Sequence, residues 1–279
     1  MGQAKTKRNE GFSPQLIDEW EADDCVNFAV ALTRTTGWLL HVDWWSTSSP
    51  GAEISVDQLK PLRVYVADNR DGIFDVRGVR TIDEFNQRTI IKIANKIGVG
   101  MGGVLTRYYD ETRLPSLPLR CQPNETKVAE AMEAIKVNPA YLATIPKRPT
   151  RCIPAYDAAR YTFGRCSAFA EAMYELTGLQ PVALLATKFS PQFAATRRAK
   201  NGYFHSLVMH PDGMAEDAWG KASIEEIAGR FGAIEFRTSS DAHRQVIENM
   251  RRSSAEIYNE EYKKALEIIR EYRTEQRAV

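Results

Sequence analysis

An internal repeat restricts the fold of this 279-residue chain more than any other feature. One segment, CVNFAVALTRTTGW, begins at Cys25 and another, CSAFAEAMYELTGL, begins at Cys166. Counting from each cysteine, they share phenylalanine at plus three, alanine at plus four and plus six, threonine at plus eleven and glycine at plus twelve (Gly37, Gly178). The match continues downstream. Asp71-Gly72 and Asp212-Gly213 stand 46 and 47 residues after their cysteines, and DVRGVRTIDEF from Asp75 shares Asp, Gly, Ile and Glu in register with DAWGKASIEEI from Asp217. A repeat of this length marks a duplicated supersecondary unit, so the chain is expected to hold two tandem copies of one α+β module.

Each module reads as helix, strand, antiparallel hairpin and helix. Phe169, Ala170, Met173 and Leu176 keep a helical period after Cys166, and Gly178 stands where a helix ends in a left-handed cap. PVALLATKF is a short apolar run suited to a buried strand. FHSLVMHPDGMAEDAWG reads as a hairpin turning at Pro211, Asp212 and Gly213. With that three-residue loop His210 faces Met214, Leu207 faces Asp217 and His205 faces Trp219. His205 and Asp217 then share a face as diagonal neighbours about 7 Å apart.

These residues resemble the papain-fold and transglutaminase-like cysteine hydrolases of short bacterial or phage type. The resemblance is good from Tyr161 to Ile227 and weaker from Asp24 to Phe85. It implies a thiol-dependent hydrolase or acyltransferase (protease, deamidase or transglutaminase) acting on an amide, isopeptide or thioester bond of a protein or peptide. The implied roles are Cys166 as nucleophile, His205 as base and Asp217 as the group that orients it. The chemistry suits those types. A helix N-terminus and a neighbouring cation, here Arg165, lower a thiol pKa, and a histidine near 6.5 exchanges the proton. The backbone N–H of Cys166 is the candidate oxyanion donor. The alternative is a non-catalytic papain-fold interaction module of a phage, plasmid or effector system.

The first copy keeps Cys25 and Asp75 but offers only Arg63, Val64 or Tyr65 where the base belongs, and none is a base at pH 7. Asp23 and Asp24 would also raise the Cys25 thiol. This copy is therefore expected to be a degenerate second site. Arg165, Trp219 and, in the basic loop FSPQFAATRRAKNGY, Arg197 and Arg198 are candidate substrate contacts; a basic stripe of the same two arginines with Lys188 and Lys200 would instead mark a DNA-associated protein. His41 is expected in a strand, His210 in the turn and His243 in the tail helix.

The expected domains are a flexible arm at 1–12, the degenerate module at 13–92, a connector with one helix at 93–150, the module with the triad at 151–235 and a C-terminal helix at 236–279. Asn124 is the expected cap of the connector helix. GVGMGG, with Gly98, Gly100 and Gly103, fits GxGxxG formally but follows a helical pattern and reads as a flexible loop. Along the tail, Tyr258, Tyr262, Ala265, Ile269 and Tyr272 form a stripe that seals against the body or pairs with a partner.

Composition narrows the rest. Lysine and arginine number 37 against 36 acids, so no overall field favours nucleic acid. No apolar run is long enough for a membrane span or signal peptide, which reads as cytoplasmic or delivered into a host cell. Gly2 and Thr6 loosely fit an N-myristoylation pattern. The four cysteines are spaced too widely for metal knuckles, and no metal or cofactor is implied.

Overall fold

The structure, a computed structural model, describes residues 11–46, 54–100, 103–148, 152–162, 164–191 and 202–274. It is α+β, and the chain divides into two compact units at Arg148 and Pro149.

In unit one, Ser13 caps helix α1 (Pro14–Ala22) through its side chain. Helix α2 (Val26–Thr36) follows and ends at Gly37, whose φ of 71° requires the left-handed region that glycine enters without cost. Strands β1 (Leu39–Trp45), β2 (Lys60–Ala67), β3 (Gly72–Asp75) and β4 (Gly78–Thr81) come next. Helices α3 (Ile82–Phe85) and α4 (Ile91–Lys96), joined by a π-type turn, lead into β5 (Val104–Tyr109). The sheet order is β4-β3-β2-β1-β5. Helix α5 (Glu125–Lys136), capped by Asn124, buries Val128, Ala131 and Ile135 and lies against α2; the short α6 (Pro139–Leu142) follows.

Unit two repeats that plan. Helix α7 (Ala155–Arg160) precedes α8 (Cys166–Thr177), which ends at Gly178 with φ 73°. Strands β6 (Gln180–Phe189), β7 (Gly202–Met209), β8 (Ala215–Asp217) and β9 (Gly220–Ala222) lead through α9 (Ile224–Arg230) to β10 (Ala233–Ser239) and the tail helix α10 (Ser240–Thr274). The order β9-β8-β7-β6-β10 matches that of unit one strand for strand.

The register also repeats. Asp217 pairs with Gly220 as Asp75 pairs with Gly78. Both second strands carry one extra residue, Phe204 in β7 and Leu62 in β2, because Leu184 and Leu185 face His205 and Tyr203 while Asp43 and Trp44 face Arg63 and Pro61. A β-bulge at one position in both sheets re-aims the flanking side chains. It also sets the correspondence: Arg63 stands for His205, Pro61 for Tyr203 and Val64 for Ser206.

Three expectations change. Residues 93–150 are not a connector, because β5 pairs with β1 and α5 packs on α2, completing unit one. Each module accordingly has a fifth strand and a closing helix beyond the expected pattern. The segment 236–279 is not helical throughout, since β10 runs to Ser239 and pairs with β6. His205 has no ladder partner in Trp219, because β8 stops at Asp217 and turns into β9. Within GVGMGG, Gly98 ends the helical segment at φ 71°, and a side chain on Gly103 would collide with the Ser46 carbonyl and the Trp45 indole; residues 101 and 102 lie outside the described residues.

The tail stripe packs into unit two. Ala265, Leu266 and Ile269 join Phe169, Ala170, Ala172 and Met173 of α8 in one core. Helix α10 is interrupted at Ser254, which is extended (φ −163°, ψ 91°), and Ser254 Oγ accepts from Ile257 N–H at 3.4 Å to restart the helix. Among the described residues no helix is long and apolar enough to cross a membrane.

Candidate functional site

Cys166 is the first residue of α8, after Arg165, and no side chain caps this helix. Its first-turn N–H groups are thus uncommitted by a cap and give positive potential at the sulfur. His205 and Tyr203 reach it from β7 on either side of the bulge. The register fixes the third group: Val208 and Met209 pair with Glu216 and Ala215, and His210 N–H donates to the Met214 carbonyl at 2.9 Å, closing the three-residue turn. Asp217 therefore lies beside His205, and Asp217 Oδ2 accepts from His205 Nε2 at 3.1 Å.

The aspartate is itself held. Its Oδ1 accepts from Trp219 N–H at 2.9 Å, and the buried Arg230 guanidinium lies 3.3 Å from both oxygens. Burial alone would raise the Asp217 pKa, but the His205 hydrogen bond, the His205 charge and Arg230 hold it below its ordinary value. An ionised Asp217 fixes the proton on Nε2 and leaves Nδ1 for the thiol. Nδ1 is buried and makes no hydrogen bond of ordinary geometry, although the ring lies near enough to Cys166 for each group to shift the other. Charge coupling is nevertheless strong. Burial lowers the His205 pKa, but the Cys166 charge and the Asp217 hydrogen bond raise it to about 9. Burial raises the Cys166 thiol, but the His205 charge, the Tyr203 hydroxyl and the Ser206 backbone N–H bring it below its ordinary value. The pair accommodates thiolate and imidazolium.

A second chain of hydrogen bonds leaves the same sulfur. Cys166 Sγ and Tyr203 Oη are 3.2 Å apart, Tyr203 Oη and Ser206 Oγ 3.1 Å, Ser206 Oγ and His243 Nδ1 3.0 Å, and His243 Nε2 and Glu171 Oε1 3.0 Å. Tyr203 is 38% exposed through its ring while its hydroxyl points inward. Sequence reasoning placed His243 in the tail helix and gave it no role. Its signal was available only as a polar residue on the packed face of α10.

The other expected site residues fare differently. Arg165 does not face the thiol; its Nε lies 3.3 Å from Glu261, which also takes two hydrogen bonds from Arg160. Trp219 is half-buried against the α8 core, and its indole donates to Thr162 Oγ1 at 2.8 Å. Lys188 pairs with Glu235, and Arg197, Arg198 and Lys200 lie outside the described residues, as do Gly2 and Thr6. His210 bonds Glu216 at 2.7 Å. His41 is a half-buried strand residue stacked on Tyr65, and burial of its ring lowers its pKa to about 4.

In unit one Arg63 takes the place of the histidine. It pairs with Glu21 and lies 3.7 Å from Asp75, which Arg80 also binds. Cys25 is fully buried in left-handed backbone (φ 62°), and burial, reinforced by Asp75, Glu21 and Asp23, pushes its thiol far up. The arginine cannot accept a proton, and the thiol does not ionise. Among the described residues no group of three or more His, Cys, Asp or Glu is placed to hold a metal. No known family model, curated protein or solved structure matches the chain.

Proposed function

We propose that unit two is a thiol-dependent hydrolase or acyltransferase of papain or transglutaminase-like design, and that unit one is its degenerate copy. One observation carries the reading: the buried His205 ring hydrogen-bonds an ionised Asp217 while its charge draws the Cys166 thiol below its ordinary value. A thiolate beside an imidazolium attacks an acyl carbon, and the same ring then gives its proton to the leaving group as the bond to that group breaks and the acyl-enzyme forms. The acceptor in the second half-reaction, water or an amine, separates hydrolysis from acyl transfer. The substrate class that fits is an amide, isopeptide or thioester of a protein or peptide.

A second reading, a non-catalytic interaction module, is favoured by one observation: Cys166 is only 3% exposed. Reactivity separates the two. Under iodoacetamide at pH 6.5, Cys166 should be alkylated faster than Cys25, Cys121 or Cys152, as followed site by site by mass spectrometry. Equal rates at all four cysteines would overturn the catalytic reading.

A further inference from the structure

The chain from Cys166 to Glu171 contains four hydrogen bonds, and its protons can be counted. With a thiolate at one end and a carboxylate at the other, both ends only accept. Tyr203 and Ser206 carry one hydroxyl proton each, so all four bonds are made only if His243 carries two. With a neutral thiol, Sγ–H donates to Tyr203, Tyr203 to Ser206 and Ser206 to a His243 bearing one proton, which donates to Glu171. Both configurations satisfy every group, and they differ by one proton moved from one end to the other.

We propose that His243, held by Glu171, is a second acceptor for the Cys166 proton, reached through Tyr203 and Ser206. In the transfer the thiol proton passes to Tyr203 Oη, the tyrosine proton to Ser206 Oγ and the serine proton to His243 Nδ1. One S–H bond breaks, one N–H bond forms, and the net charge is unchanged. Burial and the nearby Cys166 keep the Tyr203 hydroxyl protonated, so it passes a proton on without resting as a phenolate. The ionisable surroundings are otherwise defined: Tyr258 and Tyr262 of α10 lie near Glu171 with Arg251 near both, while His205, Asp217 and Arg230 form the other side of the site.

Unit one supports the assignment independently. The bulge places Pro61 where unit two has Tyr203 and Val64 where it has Ser206. The copy whose base became Arg63 has thus lost both hydroxyls of the second chain as well. A purely structural network would have no reason to be absent only where the thiol is inert.

The proposal rests on the thiolate reading of unit two, and the test separates the two. Alkylation of Cys166 by iodoacetamide at pH 7 would be measured in the full chain and in His205→Gln, Ser206→Ala and the double variant. Removing one of two acceptors should slow Cys166 by roughly threefold to tenfold in either single variant, and the double variant should fall about a further tenfold, to the rate of an ordinary buried thiol. If His205→Gln alone already reaches that floor and Ser206→Ala adds nothing, the second acceptor is refuted while the thiolate reading stands. If His205→Gln changes nothing, the thiolate reading itself fails. Imidazole ¹⁵N chemical shifts give a readout that loss of packing would not mimic: at pH 7 His243 should carry more of its doubly protonated form in the parent than in Cys166→Ser, whose hydroxyl does not ionise. Identical His243 shifts in the two proteins would overturn the proposal.

Discussion

Replacing Asp217 by asparagine keeps the shape of the side chain and removes the charge that Nε2–H and Arg230 both face. The imidazolium then loses its stabilising partner, and activity on an activated acyl ester should drop by between roughly tenfold and a thousandfold. Asp212→Asn, at an exposed turn position that bonds Met214 N–H and Lys221, should be nearly silent. The reverse pattern would place the third member of the site elsewhere. The pH dependence follows from the same residues. His205 is raised from its ordinary 6.5 to about 9, so its proton contributes fully below about 6.5 and that contribution is lost as pH rises through about 9. Cys166 is lowered, so the thiolate contribution is lost as pH falls through that lowered value. Esterase activity should therefore fall on the alkaline side near pH 9. An alkaline limb that begins near 6.5 would mean that His205 is not coupled to the thiol.

Among the elements, α10 carries the clearest packing test. Ile269 is 1% exposed within the α8 core, so Ile269→Ala should destabilise unit two by about 2 to 4 kcal/mol in urea unfolding, whereas Ile257→Ala, on an exposed position, should cost little. Equal small effects would mean that the stripe is free for a partner. The elements that carry the proposed triad were readable because each left a local mark: a cysteine opening an apolar helix, a glycine closing it, and Pro211-Asp212-Gly213 fixing the hairpin register on which Asp217 depends. The bulge at Phe204 left none, since an extra residue in a strand looks like any other. Without it Tyr203 and Ser206 fall on opposite faces, and their shared hydrogen bond cannot be foreseen. The strand β5 was missed for another reason. VLTRYY is an edge segment, half-buried and preceded by glycines, and its pattern does not separate it from a loop.

At the scale of the whole molecule, two copies of one fold shift their cysteine thiols in opposite directions, Cys25 up and Cys166 down. The shared strand order and the shared bulge come from the duplication, and a few side chains set the chemistry. Arginine in place of histidine supplies a charge that cannot be withdrawn, and Asp75 is consumed by Arg63 and Arg80 rather than by a base. Cys166→Ala should abolish the esterase activity, while Cys25→Ala should leave most of it and cost on the order of 1 kcal/mol of stability. Retained activity in Cys166→Ala would assign the chemistry to another group. The central claim is that Cys166 rests as a thiolate beside a protonated His205, and its most direct measurement is the difference in thiolate ultraviolet absorbance between the parent and Cys166→Ser across a pH titration. The account predicts a midpoint below the ordinary thiol value of 9 that moves upward in His205→Gln. A midpoint at or above 9 that His205→Gln leaves in place would contradict it.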